Sequence, residues 1–173
     1  MKILISEDQK MKIDILCVGK IKEAFYRDAI SEYVKRLGRY TQINIIEVED
    51  EKTPDNASDK QVDLILSKEA ERLNRFITQS NNSSTYVITL EINGKQLSSE
   101  GLASKIQELN INGVSHIIFI IGGSLGLHSS VTSKADFHIS FSKMTFPHQL
   151  MRVILLEQIY RSYRIINNEP YHK

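Results

Sequence analysis

The sequence predicts an α/β fold, a doubly wound, mostly parallel sheet with helices on both faces. Three observations predict it. Short apolar runs alternate with longer amphipathic segments, which implies parallel strands joined by crossover helices. The short runs carry little polarity, as strands covered on both faces require. A chain of 173 residues also suits one domain, burying roughly 70% of its unfolded surface.

The elements follow in order. Lys12–Val18 reads as a buried strand through Ile13, Ile15, Leu16 and Val18. Phe25, Ala29, Ile30, Tyr33 and Leu37 then share one face of a helix. Asn44–Val48 is the second strand, and Asp50–Asn56, with Pro54, is polar loop. Ser58 or Asp59 can cap the next helix, whose stripe includes Val62, Ile65, Leu66, Leu73, Phe76 and Ile77. Thr85–Leu90 is a third strand, Ser98 or Ser99 caps a helix to about Leu109, and His116–Ile121 is a fourth strand. A glycine-rich stretch, a short strand at Phe137–Phe141 and a long helix from Pro147 to about Ile166 complete the chain. Ligands of such sheets bind beyond the carboxyl ends of the strands. The segments after Leu90, Ile121 and Phe141 are therefore the ones to inspect.

Composition narrows the function. A hydrophobic share of 41% and a charged share of 25% are ordinary for a globular protein. The longest apolar run, Ile117 to Ile121, falls far short of the ~18 residues of a membrane-spanning helix. Cys17 is the only cysteine, which excludes an intrachain disulfide and a cysteine metal cluster. No secretory signal is expected, since Ile3–Ile5 is short and Glu7 and Asp8 follow it. The expected setting is a reducing cytoplasm. Met1-Lys2-Ile3 is echoed by Met11-Lys12-Ile13, so the folded domain is expected over 11–173, with 1–10 a tag or an extended start. A net charge of +1 argues against strong nonspecific nucleic-acid binding. From Lys143 onward, however, five Lys and Arg face two Glu, and His148 and His172 lie in the same stretch.

After the fourth strand comes Gly122-Gly123-Ser124-Leu125-Gly126. It is neither the dinucleotide fingerprint nor a phosphate-binding loop, although glycines here let a ligand approach the backbone. A tight turn without function is the plain alternative. The same run fits G-x-S-x-G with Ser124 as nucleophile and Asp136 with His138 or His148 downstream, a serine hydrolase order. Too little chain follows for the further strands of such an enzyme. The run Phe141-Ser142-Lys143-Met144-Thr145-Phe146-Pro147-His148 offers free backbone groups for an adenine edge and apolar side chains for its ring. It also suits a plain strand-to-helix connection with Phe146 in the core.

Arg152 falls on the apolar face of the last helix with Val153, Leu156, Ile159, Tyr160 and Tyr163. Burying a guanidinium costs several kcal/mol unless it is paired. Arg152 either forms an internal salt bridge, for instance to a glutamate, or reaches a phosphate or carboxylate in the site. Leu150 and Ile154 lie on the opposite side, so the helix is sandwiched or forms a subunit interface. Tyr171-His172-Lys173 end the chain, either as a frayed tail or as a group that stacks on and contacts a base.

In this order the segments resemble the SPOUT class of knotted methyltransferases. The likeness is closest to the RlmH family, which methylates N3 of a pseudouridine in 23S ribosomal RNA. Its carriers are Val87–Glu91, Leu97–Ala103, Ile120–Gly126, Ser140–His148, Arg152-Val153, Glu157–Arg161 and Tyr171–Lys173. Ile15–Lys20 and Tyr33-x-Lys35-Arg36-Leu37 add to it, so it runs from Met11 to Lys173. The resemblance implies a C-terminal trefoil knot and S-adenosylmethionine as methyl donor, without a metal. It implies cofactor contacts at Leu90, Gly122, Phe141, Ser142, Lys143, Met144, Thr145 and Phe146. It implies a homodimer with the last helix at its interface, and 23S rRNA in the assembled ribosome as partner. Arg152, Tyr171 and His172 become the candidate catalytic residues, His172 because imidazole titrates near neutral pH. Lys35, Arg36 and Arg39 are candidate RNA contacts, or simply a solvated helix face. A non-catalytic ribosome-binding protein of the same fold is the other alternative, and the complete set of expected cofactor contacts speaks against it.

Overall fold

The computed structural model describes residues 10–173. The expected tag or extended start therefore lies, apart from Lys10, outside the described residues. Five strands form one all-parallel sheet in the order β2-β1-β4-β3-β5. These are β1 (Lys12–Val18), β2 (Gln42–Val48), β3 (Thr85–Gln96), β4 (His116–Ile121) and β5 (Phe137–Ser140). The helices are α1 (Ala24–Leu37), α2 (Asp59–Ser80), α3 (Ser99–Ile111), α4 (Ser129–Thr132) and α5 (His148–Ile166).

Alternation along the central strands builds two cores. Ile13, Ile15 and Cys17 of β1, with Ile117, Phe119 and Ile121 of β4, meet α1, α3 and α5. The intervening Leu16, Val18, Ile118 and Ile120 meet Ala70, Leu73 and Ile77 of α2 and Val131 of α4. Helix starts follow the polar signals of the sequence. Ser58 and Gln61 form a reciprocal capping box on α2, and Ser98 Oγ accepts from Gly101 N at 3.0 Å on α3.

Four elements differ from the sequence reading, one of them β5, which ends at Ser140 and leaves Phe141 to the loop lining the cavity. β2 begins at Gln42, earlier than Asn44, because its pairing with β1 starts at Lys12. The four-residue α4, capped by His128, is too short to show a stripe. β3 continues past Leu90 to Gln96 because, after an outward bulge, Lys95 and Gln96 rejoin β5. Segment 91–94 reads as loop in the sequence because it contributes nothing to either core.

The amino end of the sheet has its own polar tie. Asp14 is fully buried on β1 between β2 and β4. Its carboxylate accepts from Asn44 Nδ2 at 2.8 Å, lies 2.7 Å from His116 Nε2 and pairs with Lys12 at 3.2 Å. Burial alone would raise its pKa. The hydrogen bonds from His116, Asn44 and Lys12 outweigh that and hold it below the ordinary carboxylate range. A carboxyl lowered in the folded state stabilises above its unfolded pKa, about 3.9, and loses that contribution as pH falls through the folded value. Unfolding free energy is therefore expected to drop below about pH 4, and Asp14→Asn to flatten that drop. Asp14→Ala should cost about 3 kcal/mol in urea denaturation, near the low end for a broken buried pair.

Candidate functional site

The carboxyl ends of β3, β4 and β5 surround a cavity of about 300 Å³, the size of a small-molecule site. The bulge of β3 contributes Leu90, Glu91, Ile92 and Asn93. The turn after β4 contributes Ile121, Gly122, Gly123 and Ser124. The connection into α5 adds Phe141, Ser142, Met144, Thr145 and Phe146, and α5 itself adds His148 and Met151. The expected cofactor contacts thus converge on one cavity, except Lys143, which is exposed and does not line it.

Two glycines permit this convergence. A Cβ on Gly94 would lie 2.6 Å from the Ile139 carbonyl carbon and 2.9 Å from that of His138. A Cβ on Gly122 would lie 2.4 Å from the Gly126 oxygen. Both are backbone-to-backbone approaches that no side chain fits. Ser142 then shapes the third wall: its Oγ accepts from Met144 N at 2.9 Å, while Ser140 Oγ donates to its carbonyl at 3.1 Å.

Arg152 is an internal tie. Its side chain is fully buried, pairs with Glu47 at 3.0 Å, and donates to the Val18 and Gly19 carbonyls at 3.1 and 2.7 Å. Glu47 also accepts from Ile21 N at 2.9 Å. The guanidinium joins the ends of β1 and β2 to the first turns of α5, and it does not line the cavity.

The tail is docked on the protein. Tyr171 packs edge-on to Tyr160 at 5.0 Å, lies under Arg161 at 4.7 Å, and donates to Glu157 at 3.1 Å. His172 Nε2 lies 2.7 Å from Glu100, and its Nδ1 is 3.2 Å from Arg161 Nη1. Arginine only donates, so Nδ1 accepts and Nε2 carries the proton given to Glu100. Burial, then hydrogen bonding with Tyr33 and Glu157, pushes the Tyr171 phenol up to about 12. Tyr171 is therefore a donor near neutral pH. Neither tail residue lines the cavity. Their anchors Glu157 and Arg161 lie about 14 and 20 Å along α5 from His148, at 1.5 Å per residue.

The hydrolase geometry does not form. Ser124 Oγ meets Thr53 Oγ1 at 3.4 Å, and Asp136 accepts from Val87 N at 2.7 Å. His138 turns to Glu91 and Thr89. The Gly123–Gly126 turn is closed by Gly126 N donating to Gly123 O at 3.1 Å, with Gly126 at φ +85°.

The family model described as "Predicted SPOUT methyltransferase" matches residues 11–172. The chain belongs to the SPOUT methyltransferase family. It is 58% identical over 163 residues to the "Ribosomal RNA large subunit methyltransferase H" of Bifidobacterium adolescentis, covering 94% of this chain and all of that protein. It is 60% identical, with the same coverage, to the "Putative ribosomal RNA large subunit methyltransferase H" of Methanococcus maripaludis. Among solved structures, a probable methylase family protein from Haemophilus influenzae shares the fold at a TM-score of 0.53 and 15% identity, over 93% of this chain and 70% of that one. No helix among the described residues is long and apolar enough to cross a membrane.

SPOUT methyltransferases use S-adenosylmethionine as methyl donor, and the lining of the cavity fits such an adenosine-bearing sulfonium compound. Leu90, Met144 and Phe146 offer apolar surface for a ring, and the three loops bring backbone groups for its polar edge. His148 adds a polar atom: its Nδ1 is buried without a protein partner, an arrangement that costs about 1–3 kcal/mol unless a ligand or water satisfies it. Burial, then the positive charge of Arg152, holds its pKa below the ordinary range, so the ring is neutral.

The sequence reading missed several residues here. Glu157 and Arg161, 2.6 Å apart, cradle the tail, and only the resemblance singled them out. Glu91 follows Leu90 at a strand end and showed no periodic signal. Gly94 lies in a polar run where a glycine signals only a turn.

Gly94→Ala should cost about 1–3 kcal/mol in chemical denaturation, as overpacking does. Gly38→Ala, where φ is −55° and the nearest atom 3.4 Å away, should change stability by less than about 0.5 kcal/mol.

Proposed function

We propose that the protein transfers a methyl group from S-adenosylmethionine to N3 of a pseudouridine in 23S ribosomal RNA. One observation supports this above others: in a chain of the SPOUT methyltransferase family, the three strand-end loops converge on a single cavity of suitable size and chemistry. The names of the relatives point to ribosomal RNA of the large subunit. The cofactor supplies an electrophilic methyl group on a sulfonium sulfur. The protein's task is alignment, which can supply ~7–11 kcal/mol. Leu90, Gly122, Phe141, Ser142, Met144, Thr145 and Phe146 would hold the adenosine, with Lys143 exposed beside them for an anion. The trefoil threading implied by the resemblance belongs to the same proposal.

The acceptor nitrogen must lose a proton before it attacks. His172 holds the base or, once its Nδ1 is released from Arg161, takes that proton, and the protonated Tyr171 stacks and positions. Arg152 is a positioning residue, fixing the first turns of α5 under the cavity. Because the tail docks well along α5 from its own cavity, a second copy of the chain presents it to the reaction. The homodimer is part of the proposal on that ground. Leu150 and Ile154, on the partly exposed side of α5, give the two copies an apolar contact. Cytoplasmic ribosomes are the setting. Lys35, Arg36 and Arg39 contact RNA weakly, since Arg36 pairs with Glu32 at 2.8 Å and Arg39 with Glu169 at 3.7 Å. Naked RNA should bind poorly, with a strong salt dependence.

Mass spectrometry of 23S rRNA should show one methyl group lost from cells without the gene and regained on its return. An unchanged rRNA refutes the substrate. Removing Tyr171–Lys173 should abolish transfer while calorimetry shows S-adenosylmethionine affinity within a fewfold of the intact chain. Full turnover by the truncated chain removes the tail from the mechanism. Absence of S-adenosylmethionine binding by the intact chain favours the non-catalytic binding protein.

A further inference from the structure

The electrostatics of the cavity are one-sided. Among the described residues that line it, two have ionisable side chains, Glu91 and His148. The imidazole is held neutral, as described above. Arg152, buried beneath the cavity and outside its lining, pairs with Glu47 and two carbonyls, and its field reaches the wall at His148. Lys143 stays outside the lining. One carboxylate therefore provides the only formal charge on the wall.

That carboxylate is built into place. Thr89 Oγ1, fully buried, donates to Glu91 Oε2 at 2.5 Å. His138 Nδ1 contacts the same oxygen and lies 2.8 Å from Thr89 Oγ1. Thr89 and Glu91 project from the same side of β3, and β5 brings His138 beside them through the Thr89–His138 register pair. A glutamate at a strand end would otherwise turn to water. Two neighbours on two strands hold this one at the rim of an apolar cavity, where a charge interacts more strongly than in water.

Resting on the proposed function, we infer that Glu91 is the counter-charge for the cationic methionine end of the methyl donor, and that Thr89 and His138 position it. Such a carboxylate favours a charged donor over neutral adenosine thioethers of similar shape. It also lowers the affinity of the spent product if the sulfonium is the cation it faces, since transfer of the methyl group cancels that charge.

Three ligands separate the cations in calorimetry with the full chain. S-adenosylmethionine carries a sulfonium and an ammonium, S-adenosylhomocysteine keeps the ammonium, and 5′-methylthioadenosine carries neither. Glu91→Gln should weaken S-adenosylmethionine at least about tenfold, the scale of a charge-assisted contact in a low-dielectric site. Methylthioadenosine affinity should not change, which also shows that the variant has kept its fold. Parallel weakening of S-adenosylhomocysteine assigns the contact to the ammonium; unchanged homocysteine binding assigns it to the sulfonium. His138→Ala should lower the ratio of charged to neutral ligand affinity, and His138→Asn, which retains a donor, should restore part of it. Equal weakening of all three ligands by Glu91→Gln, or of none, overturns the inference. If the wild-type chain binds none of the three, the proposed function itself fails.

Discussion

The structure depends on two backbone contacts that only glycine permits. Parallel strands lie ~4.8 Å apart, and side chains normally keep the chain leaving one strand clear of its neighbours. At Gly94 the bulge of β3 presses directly on the backbone of β5, and at Gly122 the turn after β4 closes on Gly126. Removing two Cβ atoms thereby gathers three loops around one space. The cavity is a consequence of what is missing from these positions, more than of what lines it.

The same economy explains which parts were legible in the sequence. The strands β1 and β4 and the stripe of α2 bury whole faces, so their apolar period announces them. Ser58 and Ser98 announce helix starts because a cap must be a short polar side chain. The convergence of Leu90, Gly122 and Phe141–Phe146 was inferred from their place at strand ends and from the family likeness. The bulge at 91–94 was not legible, since it serves neither core and its pairing with Ile139 is a long-range choice of register. Arg152 illustrates a different limit. Periodicity could place it on the buried face and demand a partner, yet Glu47 is over a hundred residues away in the sequence. Only the parallel pairing of β1 with β2 brings that carboxylate to the first turns of α5.

Charge placement divides the molecule into separately neutralised regions. Asp14 is satisfied at the amino end of the sheet by His116, Asn44 and Lys12. Arg152 is paired beneath the cavity with Glu47 and two carbonyls through its terminal nitrogens, its Nε remaining without a partner, and Arg161 is paired beside the tail with Glu157. The Asp14 and Arg152 ties join elements distant in sequence and so hold boundaries of the fold, whereas Arg161 and Glu157 pair within one turn of α5. A near-zero net charge is then no obstacle to a selective site. The proposed donor contact asks for one fixed charge, Glu91, among neighbouring charges that already have partners.

The docked tail bears on the proposed homodimer. Extreme termini fray unless something holds them, and here Tyr160, Glu157, Arg161 and Glu100 all hold Tyr171 and His172. Such anchoring is too elaborate for a passive end, but it fixes these residues away from their own cavity. Bringing them to a cavity within the same chain would require breaking the Tyr171–Glu157 and His172–Glu100 contacts and taking the Tyr171 ring from beneath Arg161. In the proposed homodimer a second copy, packed along α5, supplies its tail with the Tyr171–Glu157 and His172–Glu100 contacts kept. A tail held away from its own cavity is the observation from which that proposal starts.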